Sequence, residues 1–233
     1  MSNHHGNLDR QSLLARHADS GTVAPGPQRP GTRRNGLTRF AGQRRADWWE
    51  TPPRLIAPGL VLREPVDGDA AALHDLMSDG EVARYLSPGP ATLEETRAFI
   101  DWVRRAREAG RYLCFAVHPE ESQGIVGLFQ VWPIDPTFRS AEWGFVLERG
   151  RWGSGLFQRC AQLVSRYTFE TLGTRRIEGR SAVENERGNA ALRKLGAEPE
   201  GLLRRCFECT GGVVRDHLLW TLYAEPQVTP PAS

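Results

Sequence analysis

Apolar residues fall into dense periodic runs only between residues 55 and 225. Residues 60–63 predict a short strand. Asp67 or Asp69 caps a helix that follows to about Met77. Thr92, with Glu95 three residues on, forms a capping box. It opens a helix with Phe99, Ile100, Val103 and Ala106 on one face, ending near Gly110. Residues 112–117 and 124–132 alternate as an antiparallel hairpin. Residues 142–147 form a third strand, which leads directly into E-R-G-R-W-G-S-G at 148–155. Leu156, Cys160, Leu163, Val164 and Tyr167 share a helical face, and Gly173 stops that helix. Residues 176–183 give the next strand and 188–195 a short helix stopped by Gly196. Residues 202–210 and 214–223 close the chain as a hairpin across Gly211-Gly212. This order predicts an α+β fold. It is a mixed, mostly antiparallel central sheet flanked by helices, with one parallel crossover through a β–loop–α–β unit.

Outside this region the pattern fails. Residues 1–54 are rich in Arg, Gly and Pro and have no sustained period, so they cannot offset their ordering entropy by burial and are read as a disordered extension. Trp48 and Trp49 are its candidates for docking onto the domain. Residues 226–233 read as a frayed tail. The domain itself is assigned to 55–225.

Charge refines this division. The net +2 is uneven, because residues 1–50 carry eight Arg against four Asp or Glu while the remainder is slightly acidic. The basic excess therefore belongs to the extension and is not read as a nucleic-acid site. Arg104, Arg105 and Arg107 read as a solvated helix face. Four cysteines in 233 residues do not make a disulfide scaffold. Cys206 and Cys209 form a C-x-x-C, but it lies in a strand-like run with no further ligands nearby, so no metal is expected. No apolar run approaches a membrane span, and the N-terminus lacks a secretory h-region, so a cytoplasmic protein is expected. His74 and His217 stand alone and read as ordinary surface or core histidines. Trp132 and Trp143 read as sheet-face packing, with a place in an acceptor pocket left open.

The chemistry concentrates at 142–172. Glycines at a helix N-terminus expose backbone N–H groups that suit an anion. Gly153 and Gly155 keep the approach free of side chains, and Arg151 adds a cation. The loop is neither a Walker loop nor a G-x-G-x-x-G. Taken together, three features resemble the GNAT superfamily of acyl-CoA N-acyltransferases over residues 55–225. They are E-W-G-F-V-L-E-R-G-R-W-G-S-G-L, V-E-N-E-R-G-N-A-A-L-R-K-L-G and the element order. More narrowly, the chain is similar to the branch of ribosomal-protein and aminoglycoside acetyltransferases.

The resemblance implies acetyl-CoA as co-substrate and an amine acceptor, either a small molecule or a peptide N-terminus. It implies that Gly153, Ser154 and Gly155, with Arg151 and Trp152, hold the pyrophosphate. Val146 and Leu147 would offer backbone to the pantetheine, and Asn185 would hydrogen-bond it with Asn189 in support at the same cofactor site. Glu142 shares a face with Gly144 and Val146, and is a candidate general base or else a paired or solvent-facing strand residue. A backbone N–H of Val146 or Leu147 would stabilise the oxyanion. Many relatives have Gln or Arg where this chain has Gly150, Ser where it has Gly188, and an acidic tyrosine where it has Leu192. A CoA-binding module without catalysis is therefore the alternative. The oligomeric expectation is a monomer or homodimer.

Overall fold

The computed structural model describes residues 47–224 of the chain. The first half of its sheet comprises β1 (Leu55–Ala57), β2 (Leu60–Arg63), β3 (Leu113–Pro119) and β4 (Gly127–Pro133). The second half comprises β5 (Ser140–Leu147), β6 (Arg176–Ala182), β7 (Glu198–Cys209) and β8 (Val213–Tyr223). They form one sheet in the order β1-β2-β3-β4-β5-β6-β8-β7. Every neighbouring pair is antiparallel except β5 and β6, which run parallel. The fold class read from the sequence is the one observed.

Alternation along the strands gives the sheet two apolar faces. Cys114, Ala116, Leu128 and Val146 point to one face. They pack under α1 (Ala70–Ser78) and α3 (Leu93–Glu108) through Leu73, Phe99 and Val103. Phe115, Phe129 and Trp143 point to the other. There they meet Cys160 and Val164 of α4 (Leu156–Glu170) and Leu192 of α5 (Glu186–Leu195). The first helical layer faces the β2–β5 half of the sheet, and the site opens beside it.

The capping box of α3 forms as expected. Thr92 Oγ1 accepts from the Glu95 N–H at 3.1 Å, and the Glu95 carboxylate accepts from the Thr92 N–H at 3.3 Å. Other local expectations are corrected. The strand at 60–63 is the second arm of a hairpin with β1. A short helix, α2 (Gly80–Ala83), was not expected; it is capped by Asp79, which accepts from the N–H groups of Glu81 and Val82. Asp69 does not cap α1 with its side chain. Its carboxylate is taken by the Arg63 guanidinium, at 2.6 and 2.9 Å, and by the Val66 N–H. A bidentate ion pair outcompetes a cap.

Residues 1–46 and 225–233 lie outside the described residues, and with them most of the expected extension and the C-terminal tail. Trp48 is buried, edge-on to Phe138, so the core includes this part of the chain. Arg107 holds it there. The expectation of a solvated face fails for this arginine, whose side chain is only 5% exposed. Its Nε donates to Glu64 at 2.5 Å, and its guanidinium also donates to the carbonyls of Trp48 and Trp49. No helix among the described residues is long and apolar enough to cross a membrane.

Arg107→Leu leaves the half-buried Glu64 carboxylate and two carbonyls without their donor. It is expected to lower stability by about 2–4 kcal/mol. Urea unfolding measures this, and a midpoint equal to wild type would refute the role given to Arg107.

Candidate active site

The cleft begins where two strands part. Hydrogen-bonded pairing between β5 and β6 runs from Ser140↔Arg176 to Trp143↔Gly179 and stops. β5 continues to Leu147 and β6 to Ala182, each paired only on its outer side, to β4 and β8. Close packing sits at the fork. A Cβ on Gly179 would lie 2.6 Å from the indole nitrogen of Trp143, so only glycine lets that ring lie across β6. Strand geometry decides which β5 groups face the gap. The Glu148 N–H bonds to the Val126 carbonyl. Backbone direction alternates, so Val146 also turns toward β4, while Phe145 and Leu147 turn toward the gap. The Leu147 carbonyl there accepts from Trp152 Nε1 at 3.0 Å. The Val146 backbone is thus turned away from the gap, and the Val146 side chain lines the cavity.

Beyond β5 the chain makes a 3₁₀ turn at Arg149–Arg151 and enters α4 through two left-handed glycines, Gly153 at φ 76° and Gly155 at φ 83°. Gly155 is the N-cap and has no side chain to cap the helix, while Ser154 Oγ accepts from the Leu156 N–H at 3.3 Å. Gly155 and Phe157 put the start of this helix, with its positive dipole end, in the cavity lining. Arg151, Trp152, Gly153 and Gly155 line the cavity. Ser154 does not; its hydroxyl donates to the Arg151 carbonyl at 2.7 Å. Arg151 is less free than expected, since it pairs with Glu121 at 2.9 Å and donates to Ser122 at 2.6 Å. A second cation, Arg187 of α5, lies 3.2 Å over the Trp152 ring and also lines the cavity.

Asn185 lines the cavity and is the N-cap of α5, accepting from the Gly188 N–H at 3.0 Å. Its Nδ2 remains available to donate. Gly188 belongs to this arrangement, because a Cβ there would lie 2.5 Å from Asn185 Nδ2. Asn189 has a different task. It is buried, its Nδ2 donates to the Ala182 and Val183 carbonyls, and its Oδ1 accepts from Trp220 Nε1 at 2.9 Å. It ties α5 to β6 and β8 and does not line the cavity.

Glu142 lies in the wall, buried, on the sheet face expected for it. Its carboxylate meets Arg180 Nε at 3.2 Å. Burial raises its pKa above the usual carboxylate range; Arg180 opposes the shift, Glu178 adds to it and a hydrogen bond from Trp132 opposes it. Glu142 is thus ion-paired and also lines the cavity. Sequence reasoning missed Arg180 and Arg187, and set aside His217, which lines the same cavity. Parity within residues 176–183 places Arg180 on the face of Glu178, but pairing of Glu178 with Glu142 comes only from sheet register. Leu192 is buried in the core, and Tyr167 packs against Phe115 outside the cavity. No group of three or more His, Cys, Asp or Glu among the described residues is arranged to hold a metal.

Known proteins share this plan. The family model described as an acetyltransferase (GNAT) domain matches residues 59–198. YoaA, an uncharacterized N-acetyltransferase of Bacillus subtilis (strain 168), is 27% identical over 154 residues, 66% of this chain and 87% of its own. Two solved structures share the fold. The ribosomal-protein-S5-alanine acetyltransferase of Vibrio fischeri has TM-score 0.68 at 17% identity, covering 75% of this chain and 98% of its own. Mycobacterium smegmatis RimJ, in complex with CoA-disulfide, has TM-score 0.65 at 24% identity, covering 76% and 88%.

The role found for Asn189 has a direct check. Asn189→Ala is expected to cost about 2–3 kcal/mol by leaving the Trp220 indole and two carbonyls unmet. Its dissociation constant for CoA, by calorimetry, is expected to stay within about threefold of wild type, since an unmade contact carries no binding energy. A large loss of CoA affinity at unchanged stability would return Asn189 to the cofactor site.

Proposed function

The chain belongs to the acetyltransferase (GNAT) family and is an acyl-CoA-dependent acetyltransferase, and on that premise we propose that it moves an acetyl group from acetyl-CoA to a primary amine, on a protein N-terminus or a small molecule. One observation carries this reading. An unpaired strand edge leads from a buried carboxylate, Glu142, to a glycine loop at a helix N-terminus, all within one cavity.

The residues present fit such a ligand. An extended arm with amide groups can pair with the β5 edge as a short added strand, through the Phe145 carbonyl and the Leu147 N–H, the Leu147 carbonyl being taken by Trp152. Asn185 Nδ2 would donate to the same arm. The amides of Gly153 to Gly155 and the first turn of α4 suit a pyrophosphate. Arg151 and Arg187 would flank it as cations. When bound, acetyl-CoA supplies the thioester carbonyl and the thiolate that leaves.

The chain's own contribution is mainly a proton and a field. An amine is protonated at neutral pH and must lose a proton before it attacks. Glu142 takes it, directly or through a water. Burial lifts its basicity toward the working pH, while Arg180 limits that shift and favours the ionised form. The Phe145 N–H, directed into the gap and nearer Glu142 than that of Leu147, would stabilise negative charge on the attacked carbonyl oxygen. Many relatives carry a tyrosine acid where this chain has Leu192, which is buried in the core, so the thiolate departs without a proton from that position. Its low basicity allows this.

Two measurements test the reading. Calorimetry with acetyl-CoA is expected to show one site, with affinity weakened about three- to tenfold in Arg187→Ala, an effect that shrinks with salt. No binding at millimolar ligand refutes the proposal. Thiol release across an amine and peptide panel then reports turnover. Its kcat/KM is expected to fall as pH drops through the Glu142 pKa, because the base is protonated below it. Glu142→Gln is expected to lose about 100-fold or more at neutral pH, together with that acidic limb. Full activity in Glu142→Gln removes Glu142 from the role of base.

A further inference from the structure

The reaction above leaves His217 without a task, although it lines the cavity. It stands on β8 opposite Ala182 of β6, on the sheet face that carries Arg180 and Glu142. The residue is 2% exposed, and its ring lies 4.6 Å from that of Phe207 on β7. Neither ring nitrogen has a hydrogen-bond partner. Burial, with Arg180 and Arg215 nearby, lowers its pKa to about 4 against the pull of Glu184 and Asp216, so the imidazole is neutral. A neutral imidazole offers one donor and one acceptor. Buried polar atoms in native structures are almost always satisfied. Both ring nitrogens are buried and unpartnered in the wall of a cavity that the residue lines, where a ligand would supply the missing partner.

The register says which part of a ligand reaches it. Glu142 is opposite Glu178, and His217 is opposite Ala182, four residues further along β6. That separation is about 13 Å along the strand. Arg180 lies between, with its Nε on Glu142. A small amine held at Glu142 cannot touch His217, whereas an extended acceptor passing Arg180 can.

We infer that His217 is an acceptor-binding residue, whose ring hydrogen-bonds an oxygen that the acceptor carries several bonds beyond its reacting amine. This rests on the acyl-transfer reading. It narrows the acceptor class to extended amines bearing amide or similar oxygens, and Phe207 supplies an apolar wall beside that oxygen.

The test uses the full chain and two amines of different reach. Tetra-alaninamide carries carbonyls out to about 13 Å from its amine, and n-hexylamine is shorter and carries no oxygen. Calorimetry first establishes acetyl-CoA binding in wild type, His217→Ala and His217→Gln; no binding by wild type refutes acyl transfer itself. With CoA bound, the ring nitrogen resonances of His217, assigned by their loss in His217→Gln, are expected to shift with tetra-alaninamide and stay in place with n-hexylamine. The ratio of kcat/KM for tetra-alaninamide over n-hexylamine is expected to fall about tenfold in His217→Ala, the effect of one lost hydrogen bond. Glutamine, which keeps a donor and an acceptor, is expected to restore part of it. If CoA binds and the ring is unmoved by both amines, or the ratio is unchanged in both variants, the inference is overturned and the acyl-transfer reading stands. His217→Gln keeps the comparison available if the alanine variant does not fold.

Discussion

Everything functional here depends on a sheet that stops being a sheet. A strand edge inside a protein carries N–H and C=O groups that need partners. β5 and β6 satisfy one another for four residue pairs and then part. Beyond that point the inward groups of Phe145 and Leu147 face a gap. The bulk of Trp143 lying across Gly179 marks the fork, and the aromatic cluster of Phe129, Phe145 and Phe157 fills the space beneath it. Without this separation the glycine loop would be a surface turn and Glu142 one more charged strand residue. With it, loop, helix terminus and carboxylate share one cavity.

Charge placement follows from that opening. Glu142 is nearly dehydrated and would neutralise itself if left alone. Arg180, its neighbour across the parallel pair, keeps the ionised form accessible. Arg151 of the turn and Arg187 of α5 both line the cavity, one tied to Glu121 and one laid on Trp152. Each is held by a contact that an incoming anion can share. Far from the cleft, Arg107 applies the same chemistry to architecture. One buried guanidinium bonds to Glu64 and to two backbone carbonyls, and so attaches Trp48 to a core that the apolar pattern had placed further along the chain.

The sequence by itself determined the fold class, the capping box at Thr92, the glycine loop and the face on which Glu142 lies. Each depends on residues close in the chain, through helical or strand periodicity, cap chemistry or the left-handed backbone that Gly153 and Gly155 accept. Tertiary structure decided the partners. Arg180 reaches Glu142, Arg187 reaches Trp152 and His217 enters the cavity because of strand register and strand order, with β8 placed between β6 and β7. Nothing local in the sequence encodes that order. Asn189 shows the same limit from the other side. Its motif pointed to the cofactor, but the Trp220 indole, contributed from β8, takes its oxygen. Local chemistry shows which groups are available, and only long-range packing decides which of them meet.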